Sequence, residues 1–190
     1  MLLLVGLGNP GPKDLNNRHN IGFRIIDAVN SHFKLSKQKP KFKGLLTTGM
    51  IGEHKVYAIK PLTFMNNSGT AIKELIDYFK IDSKDVFVFH DDLDIDFGKI
   101  KVKFAGSSAG HHGIDSIDKF IGKDYSRVRI GIGHPKDIKK VNNHVLEDFK
   151  DDEEDKIKEI TKNIVQRIPT LVDKKIDLFS SKVNQSLHGI

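Results

Sequence analysis

Four short loops, each following an apolar β-like run, hold the residues of this chain that could do chemistry. They are Gly6-Leu7-Gly8-Asn9-Pro10-Gly11 with Arg18-His19-Asn20, Phe64-Met65-Asn66-Asn67, His90-Asp91-Asp92, and the stretch from Gly106 to Gly113. His19 closes a polar loop, where an imidazole can reach solvent and accept a proton near neutral pH. Asp91 ends an apolar run, and a carboxylate there is suited to fix the tautomer of His19 and to stabilise its imidazolium. The chain has no cysteine, so such a pair would more naturally activate water than a side-chain nucleophile. Asn9 and Asn66 could then offer amide donors to a substrate carbonyl or its oxyanion.

Three other patterns compete for the same loops. The first loop matches the dinucleotide fingerprint GxGxxG, but that fingerprint must open a helix whose amide end holds the pyrophosphate. Here Pro10, Gly11 and Pro12 are followed by polar residues, and helical periodicity begins only around Ile21. No GxxxxGK[ST] phosphate loop occurs, which argues against a nucleotide-binding protein. Asp92, Asp94 and Asp96 begin like a calcium loop, yet the glycine comes one position late and Lys103 stands where the bidentate glutamate belongs. Gly106-Ser107-Ser108-Ala109-Gly110 matches the GxSxG nucleophile elbow and keeps a serine esterase using Ser108 as an alternative. Such an elbow follows a strand buried on both faces, whereas the preceding run alternates with lysine.

Elements must bring these loops together. Apolar runs at Leu2-Leu7, Leu45-Ile51, Val56-Ile59, Val86-Phe89, Ile100-Phe104 and Val128-Ile132 read as strands. Val86-Phe89 does not alternate, as expected of a central strand covered on both sides. Lys99, Lys101 and Lys103 alternate with apolar residues, which sets three lysines on an open surface beside the glycine-rich loop. Stripes at Ile25, Ile26, Val29, Phe33 and at Ala71, Ile72, Leu75, Ile76, Phe79 predict two helices, the second capped by Asn67-Ser68-Gly69. Ile157, Ile160, Ile164 and Ile168 predict a third that Pro169 ends or kinks before the pattern resumes. Residues 38–44 and 132–145 read as surface connections. In an α/β fold, loops at the carboxyl ends of parallel strands share one rim, so the four loops converge on one crevice.

The 190 residues suit one domain spanning 1–190, able to bury about 70% of the unfolded surface without a metal or disulfide. The apolar run at the start is too short for a signal sequence or a membrane span, which points to a cytoplasmic protein. Thirty-one Lys and Arg against 25 Asp and Glu give a net charge of +6, raising the prospect of a polyanionic partner, although solubility alone explains such a balance as well. No heptad seam suggests pairing, and a monomer is expected.

Taken together the motifs resemble bacterial peptidyl-tRNA hydrolase. The resemblance is carried by GLGNPG with Arg18-His19-Asn20-Ile21-Gly22-Phe23, by the stretch from Lys60 to Gly69, by His90-Asp91-Asp92-Leu93-Asp94, by Gly110-His111-His112-Gly113 and by the stretch from Arg127 to Pro135. It implies an α/β fold with a mixed, mostly parallel sheet between helices. It further implies hydrolysis of the ester joining a peptide to the terminal ribose of tRNA, with no metal or organic cofactor. By the same resemblance His19 is the general base and Asp91 holds it in its basic form. Asn9 discriminates blocked from free amino groups. Asp14, Phe64, Met65, Asn66, His111 and His112 fall at substrate-contacting positions, and Lys101, Lys103 and Arg129 at positions that meet the tRNA backbone. Three residues depart from the pattern: His112 replaces an asparagine, Asp14 a tyrosine and Asn17 a threonine. A non-catalytic RNA-binding relative is the alternative, against which the intact Asn9, His19, Asn66 and Asp91 argue.

Overall fold

In the computed structural model, which describes residues 1–135 and 137–186, seven strands form one sheet in the order β2-β3-β4-β1-β5-β7-β6. They are β1 (Leu2–Gly6), β2 (Lys39–Lys41), β3 (Gly44–Ile51), β4 (His54–Pro61), β5 (Val86–Asp92), β6 (Ile100–Phe104) and β7 (Ser126–Gly131). The neighbours β4, β1, β5 and β7 are mutually parallel, while β3 and β6 pair antiparallel at the two sides. β2 is antiparallel to β3, so it points the same way as the central four. The sheet is mixed and mostly parallel, as expected.

Alternate residues of the central strands feed two cores. Leu2, Leu4, Phe87 and Phe89 face α1 (Ile21–His32), α5 (Asp151–Val172) and α6 (Ile176–Ser186), while Leu3, Val5, Val86 and Val88 face α2 (Ser68–Phe79) and α3 (His112–Ile121). This two-sided demand is why β5 reads as an unbroken apolar run, and all seven of its residues are buried. Each fully buried Ile or Val of the α1 stripe, such as Ile25 and Val29, contributes about 1.5–3 kcal/mol. Among the described residues no helix is long and apolar enough to cross a membrane.

Several local expectations are corrected. Residues 38–44 contain β2, an exposed edge strand, and residues 132–145 contain a 3₁₀ turn and most of α4 (Val141–Leu146), with Lys136 outside the described residues. α5 runs through Pro169 without ending, because Ile168, Leu171 and Val172 on both sides of it are buried. A proline in a helix interior costs about 3 kcal/mol, which burial of two such side chains offsets. The start of α2 is capped by another helix: Ser116 Oγ on α3 accepts from the Gly69 amide at 3.0 Å, while Asn67 makes no side-chain cap. Lys99 lies before β6 and pairs with Asp96 at 2.8 Å, leaving Lys101 and Lys103 exposed on the strand itself.

One contact of the sheet matters for chemistry. A Cβ on Gly22 would lie 2.4 Å from the Leu7 nitrogen and 2.4 Å from the Phe89 oxygen. The first turn of α1 thus packs backbone to backbone on the ends of β1 and β5. The residues just before it are thereby held over the end of β5.

Candidate active site

The turn that enters α1 is a 3₁₀ helix, Arg18–Asn20, whose N-cap Asn17 accepts from the Asn20 amide at 3.1 Å. Arg18 is buried and ties this turn to the α4–α5 connection, donating to the carbonyls of His144, Glu147 and Asp148 and, at 2.6 Å, to Glu153. Glu153 also accepts from the Lys150 amide and so closes the first turn of α5. With its neighbours held in this way, His19 sets Nδ1 2.8 Å and 2.9 Å from the two carboxylate oxygens of Asp91, at the end of β5. A carboxylate only accepts, so Nδ1 carries the hydrogen and Nε2 carries the lone pair.

Burial disfavours charge on both partners, but the pairing outweighs it. Burial alone would lower the His19 pKa; the charge and hydrogen bond of Asp91, with a contribution from Asp14, raise it above 6.5 instead. Burial would raise that of Asp91, yet His19 and His111 hold it well below the usual carboxylate range. The pair is therefore a poised base beside a permanent anion. It opens on a cavity of about 330 Å³ lined by His19, Asp91, Ser108, His111, His112 and residues of α4. His112 is exposed there on the first turn of α3.

A second assembly adjoins it. Asn20 accepts from the Asn9 amide at 2.8 Å and donates to the Asn9 carbonyl at 2.9 Å, while Asn9 Oδ1 accepts from the Met65 amide at 2.9 Å. The Asn9 oxygen is thus engaged, which turns its NH₂ outward as a donor. Met65 itself is buried under Leu7 and Gly113 and contributes its backbone. Its chain neighbours Phe64, 65% exposed, and Asn66 are open to solvent. Asn9, Phe64, Met65 and Asn66 do not line the cavity beside His111, so the site has two arms that meet at His19 and Asn20.

Ser108 lines the same cavity, but its loop is not built as a nucleophile elbow. The serine hydroxyl bonds the Gly110 amide at 3.3 Å, β6 before it is an antiparallel side strand, and the left-handed positions of the loop are Ala105, Gly106, Ala109 and Gly110. The first loop also does not open a helix, since only a 3₁₀ turn at Pro12–Asp14 follows it.

The sequence of the whole chain fits what this site suggests. The profile of the peptidyl-tRNA hydrolase family matches residues 3–188. A peptidyl-tRNA hydrolase of Pelagibacter ubique (strain HTCC1062) is 71% identical over 97% of this chain and 99% of its own length. The chain belongs to the peptidyl-tRNA hydrolase family. A second relative, the peptidyl-tRNA hydrolase of Azorhizobium caulinodans, is 43% identical over 100% of this chain and 93% of its own. The crystal structure of peptidyl-tRNA hydrolase from Acinetobacter baumannii superposes with a TM-score of 0.91 at 32% identity, covering 97% of this chain and 94% of that one. The chain is accordingly an enzyme, a hydrolase of peptidyl-tRNA.

Of the basic residues placed on the tRNA side by resemblance to peptidyl-tRNA hydrolase, Lys103 and Arg129 line one small cavity of about 50 Å³ with His90, Asp92 and Arg127. Arg129 spends part of its charge on Asp92, at 2.7 Å. Lys101 pairs in register with Arg129 across the β6–β7 ladder but does not line this cavity. Asp14 is half-buried and accepts from Asn17 Nδ2 at 3.0 Å.

Sequence reasoning gave no role to Arg18, Asn20, Gly22 or His90. The first three stand inside the motif that carried the resemblance, but their partners lie 130, 11 and 67 positions away along the chain, at Asp148, Asn9 and Phe89. Spacing alone does not reveal such pairs.

Proposed function

We infer that His19 Nε2 removes a proton from water as that water attacks the ester carbonyl of peptidyl-tRNA. The hydroxide adds to the carbonyl carbon, giving a tetrahedral oxyanion. Asn9 Nδ2, freed by the anchoring of its oxygen on Met65, donates to that charge or to the neighbouring peptide group. Collapse breaks the bond to the ribose oxygen, which takes the proton back from His19 and leaves as the hydroxyl end of tRNA, while the peptide leaves as a carboxylic acid that gives its proton to solvent. Asp91 stays ionised throughout and stabilises the imidazolium. The groove of Phe64, Met65 and Asn66 takes peptide and terminal nucleoside. Lys101, Lys103 and Arg129 meet phosphates of the tRNA, a contact that adds affinity but no sequence information.

The observation that carries this reading is the pair of short contacts from His19 Nδ1 to Asp91 inside a cavity. Neither residue needs a cofactor to do this chemistry. In this proposal the enzyme works as a cytoplasmic monomer and as a single domain. Replacing His19 with Ala tests it: single-turnover release of peptide from a blocked aminoacyl-tRNA should slow by roughly 10²–10⁴, the range for a lost general base, with binding of the substrate retained. A His19→Ala enzyme that keeps its rate, or a Ser108→Ala enzyme that loses it, would transfer the reaction to the serine.

A further inference from the structure

Three imidazoles surround Asp91, and the hydrogen-bond geometry fixes which nitrogen of each carries the hydrogen. His19 donates Nδ1–H to the carboxylate and keeps Nε2 bare. His111 has Nε2 3.0 Å from Asp91 Oδ1, while its Nδ1 lies 3.2 Å from the Gly113 nitrogen and 3.3 Å from the Ile114 nitrogen. Those two nitrogens are backbone donors at the start of α3, and His111 is that helix's N-cap. Its Nδ1 therefore accepts and cannot carry a hydrogen, so the hydrogen sits on Nε2 and points at Asp91. His90 donates Nδ1–H to the carbonyl of Asp91 at 2.7 Å, and its Nε2 is buried without a protein partner. Its ring meets that of His111 edge to face, with centroids 4.8 Å apart.

We propose that His111 is a positioning residue: locked by the first amides of α3 as the neutral Nε2–H tautomer, it holds Asp91 Oδ1 in the orientation that His19 requires, and leaves His19 as the one imidazole of the three that exchanges a proton. This rests on the proposed role of His19 and differs from the substrate contact expected of His111. The shared oxygen is the key element, because Asp91 Oδ1 takes both His19 Nδ1 and His111 Nε2. A carboxylate with one donor can swing about its terminal torsion, which is broad; two donors converging on one oxygen fix it. Burial keeps His90 neutral, its pKa pushed down to about 3, so it serves the main chain of Asp91 and does not compete for the proton. The same tautomer speaks against a metal. His19, Asp91 and His111 have donor atoms within 4.8 Å of one another, but the His111 nitrogen that faces the group bears a hydrogen and offers no lone pair.

The two functions of the ring can be separated, because Asn reproduces the Nδ1 end of a histidine and Gln the Nε2 end. In His111→Asn the cap on α3 is kept and the donor to Asp91 is lost. Its kcat should fall about tenfold, the worth of one hydrogen bond to a charged group, with KM and melting temperature little changed. The acid limb of its kcat/KM profile should move to higher pH, since an Asp91 with one donor fewer pulls harder on the His19 proton. His111→Gln should recover most of that kcat and the original limb while melting at lower temperature, having lost the cap. In the unmodified enzyme, ¹⁵N spectra of the histidines should show His111 Nδ1 unprotonated throughout the titration of His19. Equal kcat losses in the two variants, an unmoved limb in His111→Asn, a rise in KM at constant kcat, or a His111 Nδ1 that gains a proton would each overturn the proposal. A failure of the His19→Ala test, by contrast, would remove the base itself and be seen without touching His111.

Discussion

Replacing Asp91 with Asn removes one charge and almost no volume, and the geometry says how much should be lost. At 2.8 Å and an effective dielectric of about 20, the attraction between Asp91 and a protonated His19 is about 6 kcal/mol gross. Desolvation consumes much of it, and a hydrogen bond to a charged group nets about 1.5–3 kcal/mol. At 1.36 kcal/mol per decade that is a factor of roughly 10–150 in stabilising the imidazolium. A second loss would follow if the new amide turned its NH₂ toward His19, because the imidazole would then invert and present Nε2–H to water; in serine-type triads the same change costs about 10⁴. Here inversion is opposed, since His111 Nε2–H and His19 Nδ1–H both claim the Oδ1 position, which the amide oxygen fills, while the NH₂ at the Oδ2 position costs His19 Nδ1–H its second contact, at 2.9 Å. Asp91→Asn should therefore lose only the first factor. Single-turnover release of peptide, followed across roughly pH 5–9 where an imidazole titrates, measures it. Because Asp91 raises the His19 pKa and the base must be neutral to work, the acid limb of the variant should move toward lower pH. A loss of 10⁴ or more would mean that the oxygen is not shared as described; a loss under threefold, or a limb moving upward, would mean that the pair does not govern the base.

Two other outcomes are expected. Lys103→Ala should raise KM with kcat little changed and lower the slope of log affinity against log salt by about 1, the signature of one lost phosphate contact; an unaltered slope would take Lys103 off the tRNA surface. Gly22→Ala puts a methyl 2.4 Å from main-chain atoms of both Leu7 and Phe89, where ordinary contact begins at 3.4 Å, so α1 must retreat by about 1 Å. The helix-propensity gain of about 1 kcal/mol is smaller than the overpacking cost of up to about 3 kcal/mol. Thermal melting should fall and the turnover of the remaining folded enzyme should drop by around 10²-fold, as expected when a base is displaced by 1 Å. An enzyme as stable and as active as the parent would show that Gly22 does not set the height of His19.

Where single residues decide, the sequence was legible; where the decision is shared between distant residues, it was not. β1 and the Val86–Phe89 part of β5 stand out as apolar runs because strands covered on two faces leave little room for a polar residue, and α1 and α2 stand out because each buries one stripe. β2 is Lys39-Pro40-Lys41 and has no apolar residue at all; it exists because the chain turns back from β3 at the edge, where lysine and proline guard an open strand. The Asn67-Ser68 cap of α2 is good local chemistry that a neighbouring helix pre-empts through Ser116. In the site, His19 and Asp91 could be paired from their chemistry alone, since a loop imidazole and a strand-end carboxylate complement each other, although His19 proves to be buried. His111 could not, because its partners are the amides of its own helix and a carboxylate already claimed by another residue.

The departures at Asp14 and Asn17 also change meaning once their contacts are known. Asn17 is fully buried, and its amide does two things: Oδ1 caps the turn that carries His19, at 3.1 Å from the Asn20 nitrogen, and Nδ2 holds Asp14 at 3.0 Å. The threonine usual at that place in the pattern could cap through its hydroxyl, but has no NH₂ with which to hold an acid. The tyrosine usual at position 14 would not need one. In this chain asparagine at 17 anchors the carboxylate at 14. The consequence is electrostatic, because Asp14 joins Asp91 in raising the His19 pKa. An acid at position 14 therefore adds to the charge that holds the proton on His19.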